Sequence, residues 1–356
     1  MNVQVLPLRT LVRGAYDIQK LRISMGNRIV GNFKAKLGQA PSQPEEEIDA
    51  EGKAILDDLR SSYKKLTDGV KTFPRQKTFK GDAVISSYTE LCLIAEYVEL
   101  EKQEESHFSR LGNVLQEYPI FTSFLKEVKG IGPAMAGVLL SEIDIHKAKY
   151  PSSIWSFAGL DVAPDGAGRS RRKEHLVRVK YLDKKGEEQE RDSITFNPFL
   201  KTKLYVLASS FLRAGDNPYS RIYRDYKNRL ENSLKHATWA RISGESPLPF
   251  TINEIWVKKG EDGAITEERF DKPGEIKGWK ELKVPMRATV SEDGGSFVID
   301  GAVYQYGKSK LHRHNMASRY ALKMFLLDLY KAWRPLEGLP VAPSYQEAKL
   351  GHQHAA

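Results

Sequence analysis

The chain has 356 residues and a formal net charge of +9, enough length for two domains or one elaborated domain with a substantial core. Its one cysteine, Cys92, excludes an intrachain disulfide framework and a cysteine-built zinc site, and the apolar run Leu91-Cys-Leu-Ile-Ala95 marks it as a small buried hydrophobe. No apolar run is long enough to span a bilayer and no secretory core opens the chain, so a cytoplasmic protein with no membrane partner is expected.

Residues 8–36 read as one long helix, with Leu11, Ala15, Ile18, Met25, Ile29 and Phe33 as an apolar stripe among basic residues. After a break at 38–44, a second helix is predicted from Glu45 to about Val70, its Glu45, Glu46, Glu47 and Asp49 suiting the positive helix end. A third runs from about Asp82 to Tyr118. Its Tyr88, Leu91, Ala95 and Val98 repeat by three and four, which suits either a coiled-coil homo-oligomer or a bundle packed on itself.

The most informative stretch follows, Val128-Lys-Gly-Ile-Gly-Pro133 leading into Met135, Val138, Leu139 and Ile143 at helical spacing. Gly130 and Gly132 permit φ > 0 and a close approach of bare backbone, and Pro133 suits a first helical position. Two helices joined by this glycine hairpin could hold a nucleic-acid phosphate on unpaired N–H groups, through Lys129, Gly130, Ile131 and Gly132. A purely structural turn has the same sequence signature.

Ser152 or Ser153 then offers an N-cap for a short helix carrying Ile154, Trp155 and Phe157 into a core. Alternation over 176–196 predicts a β-hairpin with basic strands, and helices resume at 198–214 and 217–236. Tyr219, Tyr223 and Tyr226 interleave with Arg221, Arg224 and Arg229, a pattern open to base stacking or to plain core packing. Turn signals at Gly260-Glu-Asp-Gly263 and Glu292-Asp-Gly-Gly295 mark a β-rich insertion over 248–306. A last helix at about 315–333 has Ala317, Tyr320, Phe325, Leu326 and Tyr330 inside and Arg319, Lys323 and Lys331 outside; the tail after Pro335 lacks periodicity and reads as loose.

The fold class is therefore mainly α. Its expected parts are a helical or coiled-coil region at 1–120, a helix-hairpin-helix domain at 121–247 closed by 307–335, the insertion, and a flexible tail at 336–356. Positive charge is concentrated at 165–185, 201–241 and 308–334, which together carry +17 and leave about −8 to the rest. Such concentration points to a polyanionic partner.

The order of Lys129-Gly-Ile-Gly-Pro-(x)2-Ala136, Phe157-Ala-Gly-Leu160, Pro164 and Gly168, followed by basic residues, resembles the carboxy-terminal domain of the insertion-sequence "one-ten" transposases. The segment His312-(x)6-Arg319-(x)3-Lys323-Met-Phe-Leu326 is similar to the tail of longer members, and the early helices to that family's coiled-coil linker. The resemblance implies DNA, with RNA as an alternative, as partner. Two departures accompany it. The family's amino-terminal RuvC-like nuclease domain is expected to be absent, since the chain opens on a basic helix; the acids of 45–58 lie on a helix and read poorly as a metal site. Where the family places its serine nucleophile before a glycine stands Ala167-Gly168, and alanine cannot attack a phosphodiester.

Ser170, among Arg169, Arg171, Arg172 and Lys173, is the nearest candidate nucleophile. The same arginines could simply hold phosphate, with Ser170 as one more donor. Arg221, Arg224, Arg313 and Arg319 complete the expected nucleic-acid contacts. His312-Arg-His314, His352 and His354 lack a carboxylate company suited to metal, so no metal or cofactor is expected. The leading expectation is a nucleic-acid-binding transposase relative that has lost or delegated cleavage. An active recombinase using Ser170, and a protein binding an acidic partner, are the alternatives. Salt dependence separates the last from the first two.

Overall fold

A computed structural model describes residues 5–40, 48–233 and 310–343, together with the backbone of strands lying between 239 and 306. Glu45 to Glu47, the two glycine-rich turn signals, His352, His354 and the tail from 344 lie outside the described residues. The chain is mainly helical and divides into two compact units, Met1–Lys147 and Ala148–Ala356.

In the first unit, α1 (Val5–Lys36), α2 (Ala50–Thr67) and α3 (Tyr88–Leu115) enclose a core of Ile29, Val30, Phe33, Leu56, Leu59, Ile85, Leu91, Ile94 and Tyr97. The α1 stripe is rotated from the expected one. Leu8 and Val12 are buried while Leu11 and Ile18 are half-buried, because the helix packs on α3 and also on α5 (Pro133–Glu142). Of the α3 seam only Leu91 is wholly buried, while Tyr88, Ala95 and Val98 are half-buried, as is Cys92.

Both helix starts fall later than predicted, for local reasons. Asp49 caps α2 by accepting from Gly52 N–H at 2.7 Å. Asp82 does not open α3; its carboxylate accepts the N–H groups of Val84 and Ile85 at 2.8 and 2.6 Å, holding a turn that competes with helix. Ser87 and Glu90 then form a reciprocal capping box.

α5 departs from the one-sided stripe, since every residue from Met135 to Glu142 is buried. Gly137 makes this possible: a Cβ there would lie 2.9 Å from Val12 and 3.0 Å from Leu111. Glu142, its side chain fully buried, accepts from Arg9 at 3.0 Å and Arg13 at 2.6 Å on α1.

In the second unit, α7 (Pro198–Arg213), α8 (Pro218–Glu231) and α9 (Lys310–Leu336) pack together. Phe211, Tyr219 and Phe325 meet at ring separations of 4.8 to 5.5 Å. Each tyrosine of α8 is occupied by α9: Tyr219 donates to Asp328, Tyr223 lies 2.6 Å from His314 Nδ1, and Tyr226 stacks on Tyr320 at 4.3 Å. Core packing thus accounts for the tyrosine pattern, and Tyr226 receives Arg229 over its ring.

α6 (Pro151–Phe157) starts on Pro151 with Tyr150 before it, so neither Ser152 nor Ser153 is its cap. Ile154 is buried, but Phe157 is exposed and Trp155 half-buried. β1 (Val177–Leu182) and β2 (Glu188–Ser193) form the expected antiparallel hairpin. Only β1 is basic; Arg178 and Lys180 face Glu190 and Glu188 across the pair.

Beyond α8 the strands form two antiparallel sheets. β3 (Trp239–Arg241), β4 (Leu248–Phe250), β8 (Ser296–Ile299) and β9 (Ala302–Tyr306) order as β4-β3-β9-β8. β5 (Ile255–Lys259), β6 (Ile265–Arg269) and β7 (Trp279–Leu282) order as β6-β5-β7. Pairing begins at Trp239, ahead of the expected start of the β-rich segment. Among the described residues, no helix is long and apolar enough to cross a membrane.

Candidate nucleic-acid interface

The glycine hairpin belongs to the first unit. Ahead of it stand only the short α4 (Pro119–Ser123) and a single 3-10 turn, Leu125–Glu127, so the first helix of the expected pair is broken. Ile131 N–H donates to Val128 carbonyl at 3.1 Å, closing the turn. Gly130 has φ +95°, but Gly132 has φ −102° and ψ 177°, ordinary extended backbone. Of the two glycines, only Gly130 needs to be one. Gly132 precedes Pro133 with no side-chain cap, leaving the α5 start bare, and Lys129 is exposed beside it.

A stability test separates the glycines. Gly130→Ala should cost about 1–2 kcal/mol through left-handed strain. Gly132→Ala should be near neutral, because a Cβ there meets nothing within 4 Å. Denaturant midpoints of the two variants measure this.

The loop carrying Ser170 belongs to the second unit. It is closed by an antiparallel bridge between Val162 and Gly168, with Ala163 N–H donating to Ala167 carbonyl at 2.8 Å. Arg169 turns back onto Asp161, Nε and Nη2 donating to Oδ2 at 3.1 and 2.7 Å. This pairing shapes the loop and leaves 20% of the Arg169 side chain exposed.

Ser170 has partners that sequence reasoning missed. Its Oγ lies 2.9 Å from His175 Nδ1, and His175 Nε2 lies 2.9 Å from Asp165 Oδ2. Ser170 N–H also donates to Nδ1 at 3.0 Å, so that nitrogen is the acceptor and Nε2–H points at Asp165. Only 1% of the His175 side chain is exposed. The His175 hydrogen bond, followed by the Ala167 N–H, holds the Asp165 carboxyl below its usual range. That link is present above the ordinary carboxylate pKa and is lost as pH falls through the lowered one.

Arg171, Arg172 and Lys173 are exposed on the same loop, and none forms an ion pair among the described residues. Arg221 and Arg224 are exposed too, but both hold Asp216. Arg313 is fully buried on α9, with Glu231 of α8 3.9 Å away. A buried guanidinium cannot touch a surface ligand, which overturns its place among the expected contacts. Arg319 and Lys323, expected outside α9, turn toward the loop instead. A Cβ built on Gly168 would lie 1.9 Å from Arg319 Nη2, and Lys323 Nζ sits 5.3 Å over the Trp155 ring. His314, held by Tyr223, is pushed below its usual pKa by burial and then by Lys227. Among the described residues no group of histidine, cysteine and carboxylate side chains could hold a metal ion.

With this geometry in place, comparison adds an identity for one segment. Residues 122–184, which hold both the hairpin and the Ser170 loop, match the family model Transposase IS116/IS110/IS902 family. That segment is similar to the transposase domain which this family model describes. No curated protein and no solved structure matches the chain.

Proposed function

We propose that the protein is a nucleic-acid-binding relative of the transposases, taking DNA as its ligand and having lost or delegated strand cleavage. RNA is the alternative ligand, and assembly as a homo-oligomer is part of the same proposal. The observation that carries the reading is the exposed Arg171-Arg172-Lys173 run, which makes no ion pair among the described residues and lies inside the matched segment. Cations of this kind bind phosphate by releasing counterions.

One observation favours a second reading. Ser170, His175 and Asp165 form the chain of contacts by which a serine passes its proton to a histidine oriented by a carboxylate. In that reading Ser170 Oγ attacks a phosphodiester, its proton moves to His175 Nδ1, and one strand end leaves while the other stays on the serine. The binding reading is preferred on geometry. The same Nδ1 already accepts the Ser170 N–H, and Ser170 Oγ accepts from Arg172 N–H at 3.3 Å, the bonds of a loop held shut.

Trapping decides between them. Labelled DNA mixed with the protein and then denatured should yield no covalent adduct, and Ser170→Ala should bind DNA within about fivefold of wild type, as one neutral hydrogen bond is worth about 1 kcal/mol. An adduct that disappears in Ser170→Ala and diminishes in His175→Ala would establish the second reading.

A further inference from the structure

Behind the loop, cations outnumber carboxylates. Arg169, Lys201, Arg319 and Lys323 gather around the single carboxylate of Asp161; Arg169 takes its Oδ2, and its Oδ1 is buried without a hydrogen-bond partner. Lys201 Nζ lies 4.6 Å over the Phe196 ring and donates to the Arg169 carbonyl. Lys323 lies over Trp155, whose own N–H donates to the Lys323 carbonyl at 3.1 Å. Arg319 rests its guanidinium on the bare backbone of Gly168, and its Nε is buried without a hydrogen-bond partner.

Such an arrangement is costly by itself. Buried donors and like charges side by side both raise the free energy unless an anion accepts from them. Burial first, and the Arg319 charge second, lower the pKa of both Lys201 and Lys323. Lysine and arginine donors gathered beside aromatic rings match the charge and donor types that a phosphate group requires.

We propose that Lys201, Arg319 and Lys323 form a pocket for a phosphate group, supplied by the backbone of a bound nucleic acid. The source of the phosphate rests on the nucleic-acid reading above; the pocket itself does not. Gly168 is then required as the floor against which Arg319 is held. The pocket lies under the chain that presents Ser170, because Lys201 binds the carbonyl of Arg169 and Arg319 covers Gly168.

The test uses the full chain with two probes, inorganic phosphate against chloride at equal ionic strength, and a labelled DNA oligonucleotide. Wild-type protein should show a saturable rise in Tm with phosphate, as a ligand that binds only the folded state requires. Arg319→Gln and Lys323→Met should lose that rise. Lys323→Met relieves repulsion and keeps the carbonyl that Trp155 uses, so its Tm in chloride should equal or exceed that of wild type. This variant keeps the outcome readable if Arg319→Gln fails to fold.

Both variants should bind DNA about tenfold more weakly, with a salt slope flatter by about one unit for the one phosphate lost. A wild-type Tm indifferent to phosphate, with DNA affinity unchanged in Lys323→Met, overturns the pocket. A phosphate response that Lys323→Met abolishes without changing DNA affinity overturns the nucleic-acid backbone as its source. A phosphate response in a protein that binds no oligonucleotide sustains the pocket and sinks the nucleic-acid reading alone.

Discussion

Replacing Arg171, Arg172 and Lys173 together with alanine should weaken DNA binding about a hundredfold at low salt, taking about 1 kcal/mol for each exposed phosphate contact. The plot of log affinity against log salt should flatten by up to about one unit per contact. The fold should not notice, because all three side chains are exposed and their removal breaks no ion pair among the described residues. Fluorescence anisotropy over a salt series gives both quantities. Arg169→Ala is the useful contrast: it should loosen the loop by freeing Asp161, and so lower Tm. Equal salt slopes in wild type and triple variant would remove the loop from the interface.

Arg9→Ala with Arg13→Ala should destabilise the first unit by about 3 kcal/mol, the low end for stripping a buried charge of its ion pairs. The low end applies because the two arginines are themselves 33% and 38% exposed, whereas Glu142 is at 0%. Adding Glu142→Leu to the double variant should recover most of the loss, since an apolar group then fills the buried position. Urea denaturation monitored by circular dichroism tests both statements. A double variant as stable as wild type would mean that Glu142 is held by its other surroundings and not by α1.

Apolar spacing made the long helices legible, because α1 and α3 each lay one face on partners along most of their length. Helix ends were less so. Local hydrogen bonds at Asp82 and Ser87, and the fixed φ of Pro151, decide them, and a stripe registers neither. α5 was read as one-sided from the spacing of Met135, Val138, Leu139 and Ile143; burial on all sides follows from where α1 and α3 meet it.

The Asp165–Ser170–His175 contacts were within reach of the sequence, all three residues lying within eleven positions of a glycine-marked turn. Their spacing, five residues apart each time, was the missed signal. The burial of Arg313 and the inward turn of Arg319, Lys201 and Lys323 were not legible, since these depend on which faces of α7 and α9 meet their neighbours and the loop. A helical wheel assigns cations outward unless a tertiary partner is known.

The ion pairs of α1 with Glu142 span up to 133 positions of chain. At the usual elongation rates of about 5–20 residues per second, Arg9 is made roughly 7 to 27 seconds before its buried carboxylate partner. During that interval Leu8, Val12 and Ala15 have no α5 to cover them. The amino-terminal helix of the nascent chain is thus a sticky surface for several seconds, and a chaperone or a premature self-contact would find it there.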